Sequence, residues 1–177
     1  MKIELDTKLL MPGDCILVSG KGFISRGIKW FTNSKYSHVA LYVGGGEGYV
    51  IEATAAGVEK NKFSSLLKGA DGICIRRYPG LTIEQVELIK QKAYGLLYEN
   101  YDFLQFLSMV PYFLLRKIGI TWNALLFNRR TKMICSELFG VCYYAAGILF
   151  KSSMKKLKSL TPEDLYSDKK LITVIEK

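Results

Sequence analysis

The stretch YSHVALYVGGGEGYVIEA, Tyr36 to Ala53, holds the chain's single histidine, His38, and places Glu52 after it across a glycine-rich turn. Val39, Leu41 and Val43 alternate with His38, Ala40 and Tyr42, which predicts a strand with one apolar face and one mixed face that carries the histidine. Glycines 44, 45, 46 and 48 around Glu47 form the expected turn. On the return strand Tyr49, Ile51 and Ala53 alternate with Val50, Glu52 and Thr54. If Val43 pairs with Tyr49, Glu52 falls opposite Ala40 and diagonal to His38 on the same face, about 7–8 Å apart at the backbone. A two-residue shift would set Glu52 directly opposite His38, and a one-residue slip would send it to the other face, so the pairing depends on register.

Outward from this hairpin, GDCILVSG (13–20) and DGICIRRYPG (71–80) are short β-prone runs bounded by turn residues. The period then changes. In LTIEQVELIKQKAYGLL (81–97), Thr82 and Gln85 have capping-box spacing, and Ile83, Val86, Ile89, Lys90, Ala93 and Leu97 recur at helical intervals. MICSELFGVCYYAAG (133–147) predicts a second helix with Ile134, Leu138, Val141, Ala145 and Ile148 on one stripe and Gly147 near its stop. LTPEDLY (160–166) supplies Thr161 as N-cap and Pro162 at the first helical position, before a last strand in LITVIEK (171–177). Strands first and helices later predict an α+β fold, an antiparallel sheet or small barrel packed against helices. No linker or repeat interrupts the 177 residues, which are expected to form a single domain, 1–177.

Hydrophobic residues make up 49% of the chain and charged residues 23%, which excludes a disordered tail. Glu4 and Asp6 fall where a signal peptide would be apolar, so a cytoplasmic location is expected, with peripheral membrane attachment as the variant. The apolar stretch Phe103 to Leu115 is shorter than the roughly 20 residues a bilayer requires and is interrupted by Pro111. It reads as a core helix pair or as a surface patch for lipid. The net charge of +9 is concentrated from Arg116 to Lys158, where nine basic residues face Glu137 alone. Such a surface attracts an anionic membrane or an acidic substrate, and is equally a solvated face that aids solubility. Nucleic-acid binding would rest on charge only and is not expected.

Four cysteines, Cys15, Cys74, Cys135 and Cys142, form no C-x-x-C pair and suit neither a zinc ribbon nor a disulfide framework. With one histidine and no cluster of acids, no metal and no cofactor are expected. A glutamate beside a histidine can fix the imidazole tautomer and favour its protonated form, as the orienting acid of a triad does, or can simply satisfy a structural histidine. A nucleophile is still needed. Cys15 and Cys74 lie inside β-prone runs and Cys142 inside the helical stripe, whereas Cys135 lies at the upstream end of its helix, where backbone N–H groups favour a thiolate and can bind an oxyanion. Thr131 or Met133 could also begin that helix, which would set Cys135 a turn inside it.

Taken together, PGDCILVSG, YSHVALYVG, YVIEATAAGV, MICSELFGVCYYAAG and LTPEDLY resemble, in order and character, the circularly permuted NlpC-type papain-fold hydrolases of the YiiX-like group, relatives of the lecithin:retinol acyltransferases. The resemblance runs from about Met11 to Ile175. Its most specific parts are the S-H-V-x-L-Y-V-G strand, the I-E-A strand and C-S-E-L opening a helix. It implies a permuted papain-like fold in which the histidine strand precedes the cysteine helix. It also implies Cys135 as nucleophile, His38 as general base and Glu52 as the residue that orients the imidazole.

Asp14, Ser136 and Glu137 match motif positions without a derivable catalytic role. The chemistry implied is acyl transfer through a thioester on a small peptide or acyl substrate: a cell-wall-type peptide amide, or a lipid acyl group at a membrane surface. A non-catalytic binding module is the third reading. The segment Tyr98 to Arg130 matches only loosely and is expected to border the cleft.

Overall fold

The computed structural model describes residues 5–54, 56–97, 135–150 and 160–177. Six strands form one antiparallel sheet: β1 (Cys15–Gly20), β2 (His38–Gly44), β3 (Tyr49–Thr54), β4 (Gly57–Lys62), β5 (Ala70–Arg77) and β6 (Ile172–Glu176), in the order β4-β3-β2-β1-β5-β6. Of the two arrangements expected, the open sheet is the one observed, with β4 and β6 at its edges. The helices are α1 (Phe23–Thr32), α2 (Phe63–Leu66), α3 (Ile83–Gly95), α4 (Cys135–Ala145) and α5 (Pro162–Ser167). The β-prone runs and the three helices anticipated from sequence are present; α1, α2 and β4 were not among them.

Both faces of the central strands are covered. One core joins Cys15, Leu17, Val39, Leu41, Ile51 and Cys74 to Ile89 and Ala93 of α3 and to Leu138, Phe139, Cys142 and Tyr143 of α4. The other joins Ile16, Val18, Ala40, Tyr42, Val50, Ile73 and Ile75 to Phe63 of α2. The "mixed" face of β2 is therefore interior too, because Phe63 packs edge-on against Tyr42 with ring centroids 6.1 Å apart. Sequence alternation identifies the two faces but not whether a distant segment folds back to cover the second.

Two helical readings change in the same way. Cys135 through Gly140, with Cys142 and Tyr143, are all buried, so α4 is enclosed around most of its circumference and does not present a single stripe; Ala145 faces outward. In α3, Ile83 is exposed while Ile89 and Ala93 face the core. End signals fared better. The Thr82–Gln85 capping box opens α3, and Thr161 with Asp164 closes the same reciprocal arrangement at α5, with Pro162 in its first turn. At the end of α4, Gly147 has φ +78° and donates to Tyr144 O at 2.9 Å, while Ile148 donates to Tyr143 O at 3.0 Å, the paired bonds that satisfy a helix's last carbonyls.

The turn before β1 is locked from both sides. Arg77 donates through Nε and Nη2 to the two Asp14 carboxylate oxygens, each at 2.7 Å, and Met11 N–H donates to Asp14 Oδ2 at 2.8 Å. Tyr143 of α4 donates its hydroxyl to Gly13 O at 2.6 Å. These bonds tie the start of β1 to the end of β5 and to the cysteine helix, which explains Asp14 as a structural residue.

Candidate active site

The hairpin register brings Ala40 opposite Glu52, Leu41 opposite Ile51 and Tyr42 opposite Val50, after which the ladder shifts so that Gly44, and not Val43, faces Tyr49. The extra residue is absorbed at the glycine turn, where Gly44, Gly45 and Gly48 have positive φ, and the parity on the Glu52 side is kept. Glu52 and His38 thus share a face. Glu52 Oε2 stands 2.5 Å from His38 Nε2.

The other end of β2 positions the ring. Val18 of β1 lies opposite His38, and its carbonyl also accepts from Ser37 N–H at 2.9 Å. Two successive residues therefore lie against one, a bulge-like doubling that interrupts strict alternation: Tyr36 and Val39 both belong to the first core although three positions apart. Such irregularities re-aim a side chain at a strand end. Here the doubling lies at His38, whose side chain keeps 25% exposure while Glu52 keeps 8%.

Cys135 begins the described part of α4 and is buried in the first core beside Val39, Leu41 and Ile51. It lies near enough to the imidazole to act on its ionisation. Burial opposes the charged form of His38, but hydrogen bonds to Cys135 and Glu52, and the charges of both, outweigh it and push the pKa up to about 10. Glu52 moves the other way. Burial favours its neutral form, yet the bond and charge of His38, with a second hydrogen bond from Asn61, hold its pKa below the ordinary value. Asn61 Nδ2 donates to Glu52 Oε1 at 3.0 Å, so each carboxylate oxygen has its own partner.

Asn61 was not anticipated. It sits on β4 opposite Val50, which puts it on the Glu52 face, but GVEKNK is too polar for its sequence to signal a strand. Ser136, next to the cysteine, is fully buried and donates its hydroxyl to Leu160 O. Cys15, Cys74 and Cys142 are each inaccessible to solvent, and burial pushes Cys74 up to about 11, Cys142 up to about 12 and Cys15 well above its ordinary value.

The structure therefore brings His38, Glu52 and Cys135 together from β2, β3 and α4. Most of the basic segment Arg116 to Lys158, the apolar stretch Phe103 to Leu115 and the loosely matching Tyr98 to Arg130 lie outside the described residues. Among the described residues no group of three or more His, Cys, Asp and Glu side chains is arranged to hold a metal ion, and no helix is long and apolar enough to cross a membrane.

Comparison with known proteins identifies the fold and the family. The chain is 31% identical over 115 residues to the probable lipoprotein peptidase YaeF of Escherichia coli strain K12, a match that covers 65% of this chain and 41% of that relative. The chain thus spans about two fifths of the length of the curated relative it matches. The crystal structure of metalloprotein yiiX from Escherichia coli O157:H7 superposes with a TM-score of 0.68 over 94% of this chain and 97% of that one, at 21% identity, so the two share a fold. The model of the permuted papain-like amidases matches residues 10–175, from the turn before β1 into β6, and the chain belongs to that YaeF/YiiX family, C92.

Proposed function

We propose that this chain is a cysteine amidase or peptidase that cleaves small peptides through an acyl-enzyme thioester, with Cys135 as nucleophile, His38 as the proton-transfer group and Glu52 as the positioning residue. The observation that carries the reading is one imidazole bound to a buried carboxylate, with the Cys135 thiol at the start of the described helix near enough to raise its proton affinity. Membership of an amidase family supports a peptide amide as substrate.

Nε2 is committed to Glu52, which leaves Nδ1 as the ring nitrogen to exchange a proton with Cys135. His38 takes the thiol proton, and its raised proton affinity favours that transfer. The sulfur attacks the amide carbonyl carbon, and the oxyanion is held by backbone N–H groups at the start of α4. The imidazolium returns the proton to the leaving nitrogen as the C–N bond breaks, leaving a thioester. Water, deprotonated by His38, then hydrolyses the thioester and frees the acid and the thiol. Throughout, Glu52 fixes the tautomer and stabilises the imidazolium, while Asn61 keeps Glu52 in place.

The test joins labelling to turnover. Exposure to a small neutral alkylating probe should modify Cys135 ahead of Cys15, Cys74 and Cys142, and His38→Ala should slow it. A panel of small peptide amides, wall-type peptides included, should yield a Cys135 acyl adduct in intact-mass spectra, and Cys135→Ala should abolish turnover. Equal labelling of all four cysteines would remove the assignment. An adduct formed only from lipid esters would redirect it from peptide to acyl-lipid chemistry.

A further inference from the structure

Helix α1 is turned inside out. At about 100° per residue, Phe23, Ile24, Ile28 and Trp30 fall on one side of the helix and Ser25, Lys29 and Thr32 on the other, with Arg26 at the border beside Phe23 and Trp30. A helix on a globular domain turns the apolar side inward. Here the polar side meets the sheet. Lys29 Nζ donates to Ser19 Oγ at 2.8 Å and to Gly20 O at 3.3 Å and lies 4.0 Å from Asp71. The Ser25 hydroxyl sits so close to Gly20 that a Cβ there would approach it to 2.4 Å.

The apolar side is left outward: Phe23 is 85% exposed, Trp30 51% and Ile24 44%, and among the described residues Phe23 and Ile24 belong to neither core. The orientation is set by Lys29, whose ammonium has its hydrogen-bond acceptors on β1, so it is a feature of the folded domain and not of a frayed end.

Charge indicates what covers this face. No acidic residue occurs between Asp14 and Glu47, while Lys21, Arg26, Lys29 and Lys35 all do. Lys29 is engaged with the sheet and Lys35 with Glu176, which leaves Lys21 and Arg26, both exposed, beside the apolar face. Arg26 lies over the Phe23 ring, 4.3 Å from its centroid, so cation and aromatic share one surface. Asp71, the nearest acid, is taken up by Lys29 on the sheet side, and aromatic and aliphatic side chains flanked by exposed Lys21 and Arg26 match the boundary between headgroups and acyl chains in a bilayer containing anionic lipid.

We propose that α1 docks this domain on an anionic bilayer, with Phe23, Ile24 and Trp30 entering the boundary and Lys21 and Arg26 on lipid phosphates. The helix is separate in sequence from the Arg116 to Lys158 segment, and the proposal does not depend on the role of Cys135.

Trp30 and Trp122 are the two tryptophans, so Trp122→Phe makes Trp30 the sole reporter in the full chain. Phosphatidylcholine vesicles with phosphatidylserine should shift Trp30 emission to the blue, and brominated acyl chains should quench it; phosphatidylcholine alone should do so weakly. Phe23→Ser with Ile24→Ser should weaken vesicle binding at least about tenfold, given the apolar area removed, and Lys21→Glu with Arg26→Glu should abolish the preference for phosphatidylserine. Circular dichroism melting checks that these variants fold, and Trp30 quenching in the unaltered helix decides the matter if they do not. Absent quenching, vesicle binding indifferent to Phe23 and Ile24, or self-association lost with them in the absence of lipid binding would each overturn the proposal.

Discussion

Glu52 faces Ala40 across the β2–β3 ladder, one diagonal away from His38, yet its Oε2 stands 2.5 Å from His38 Nε2. The diagonal is what makes the contact compatible with Asn61, which approaches the other carboxylate oxygen from β4. Because His38 is the only histidine, its C2 proton gives one unambiguous titration curve. Glu52→Gln keeps a hydrogen-bonding group and removes the charge, so the His38 pKa should fall from about 10 toward the ordinary 6.5. In turnover, the same change should lower kcat by about 100-fold with KM little altered. An unmoved titration with lost activity would mean that Glu52 acts on folding and not on the ring.

Stability should follow the same pair. A native pKa raised above the unfolded one means stability that is complete below 6.5 and is lost as pH rises through about 10; this is the His38 case. Glu52, with its native pKa lowered, contributes stability present above 4.5 and lost as pH falls through the native value. The Tm difference between the chain and His38→Gln should be widest between 4.5 and 6.5 and should shrink on either side. A difference that stays constant up to pH 10 would place the stabilising contact elsewhere.

Arg77 should matter for folding and not for chemistry. Asp14 is 1% exposed and both its oxygens rest on Arg77, so Arg77→Met leaves a buried carboxylate without its cation. The expected cost is about 3 kcal/mol in urea unfolding. Asp14→Leu combined with Arg77→Met should cost clearly less than the two single changes added together, since neither then strands a charge. Additive effects would show that the pair is not coupled.

Gly147 offers a separation of backbone from packing. A Cβ at this position would meet nothing within 4 Å, but the residue holds φ +78°. Gly147→Ala should therefore destabilise by about 1 kcal/mol through conformation alone, and Gly147→Asn by less, because asparagine tolerates the left-handed region. Equal losses for the two would assign the effect to sterics.

Much of the arrangement was legible in the chain. Capping at Thr82 and Thr161, the stop at Gly147 and the parity that sets Glu52 with His38 are relations between residues near in sequence, and local geometry enforces them wherever the segment sits. The resemblance of the motifs pointed to the permuted order of histidine strand and cysteine helix, which the family match over residues 10–175 bears out.

Other features depended on segments far apart in the chain. The single stripe expected of α4 became a helix buried nearly all round, and the mixed face of β2 became interior, because α2, α3 and the sheet close over both from a distance. Asn61 joined Glu52 only once the polar segment after Gly57 paired as β4.

Helix α1 marks the division most clearly. Its amphipathic sequence fixes that it has an apolar side, through the 3.6-residue period alone. Which way that side faces was decided by the tertiary structure, where β1 holds out Ser19 Oγ and Gly20 O as acceptors for Lys29 and turns Phe23, Ile24 and Trp30 toward solvent. Sequence period determines what a segment can bury; the partners assembled from the rest of the chain determine what it does bury.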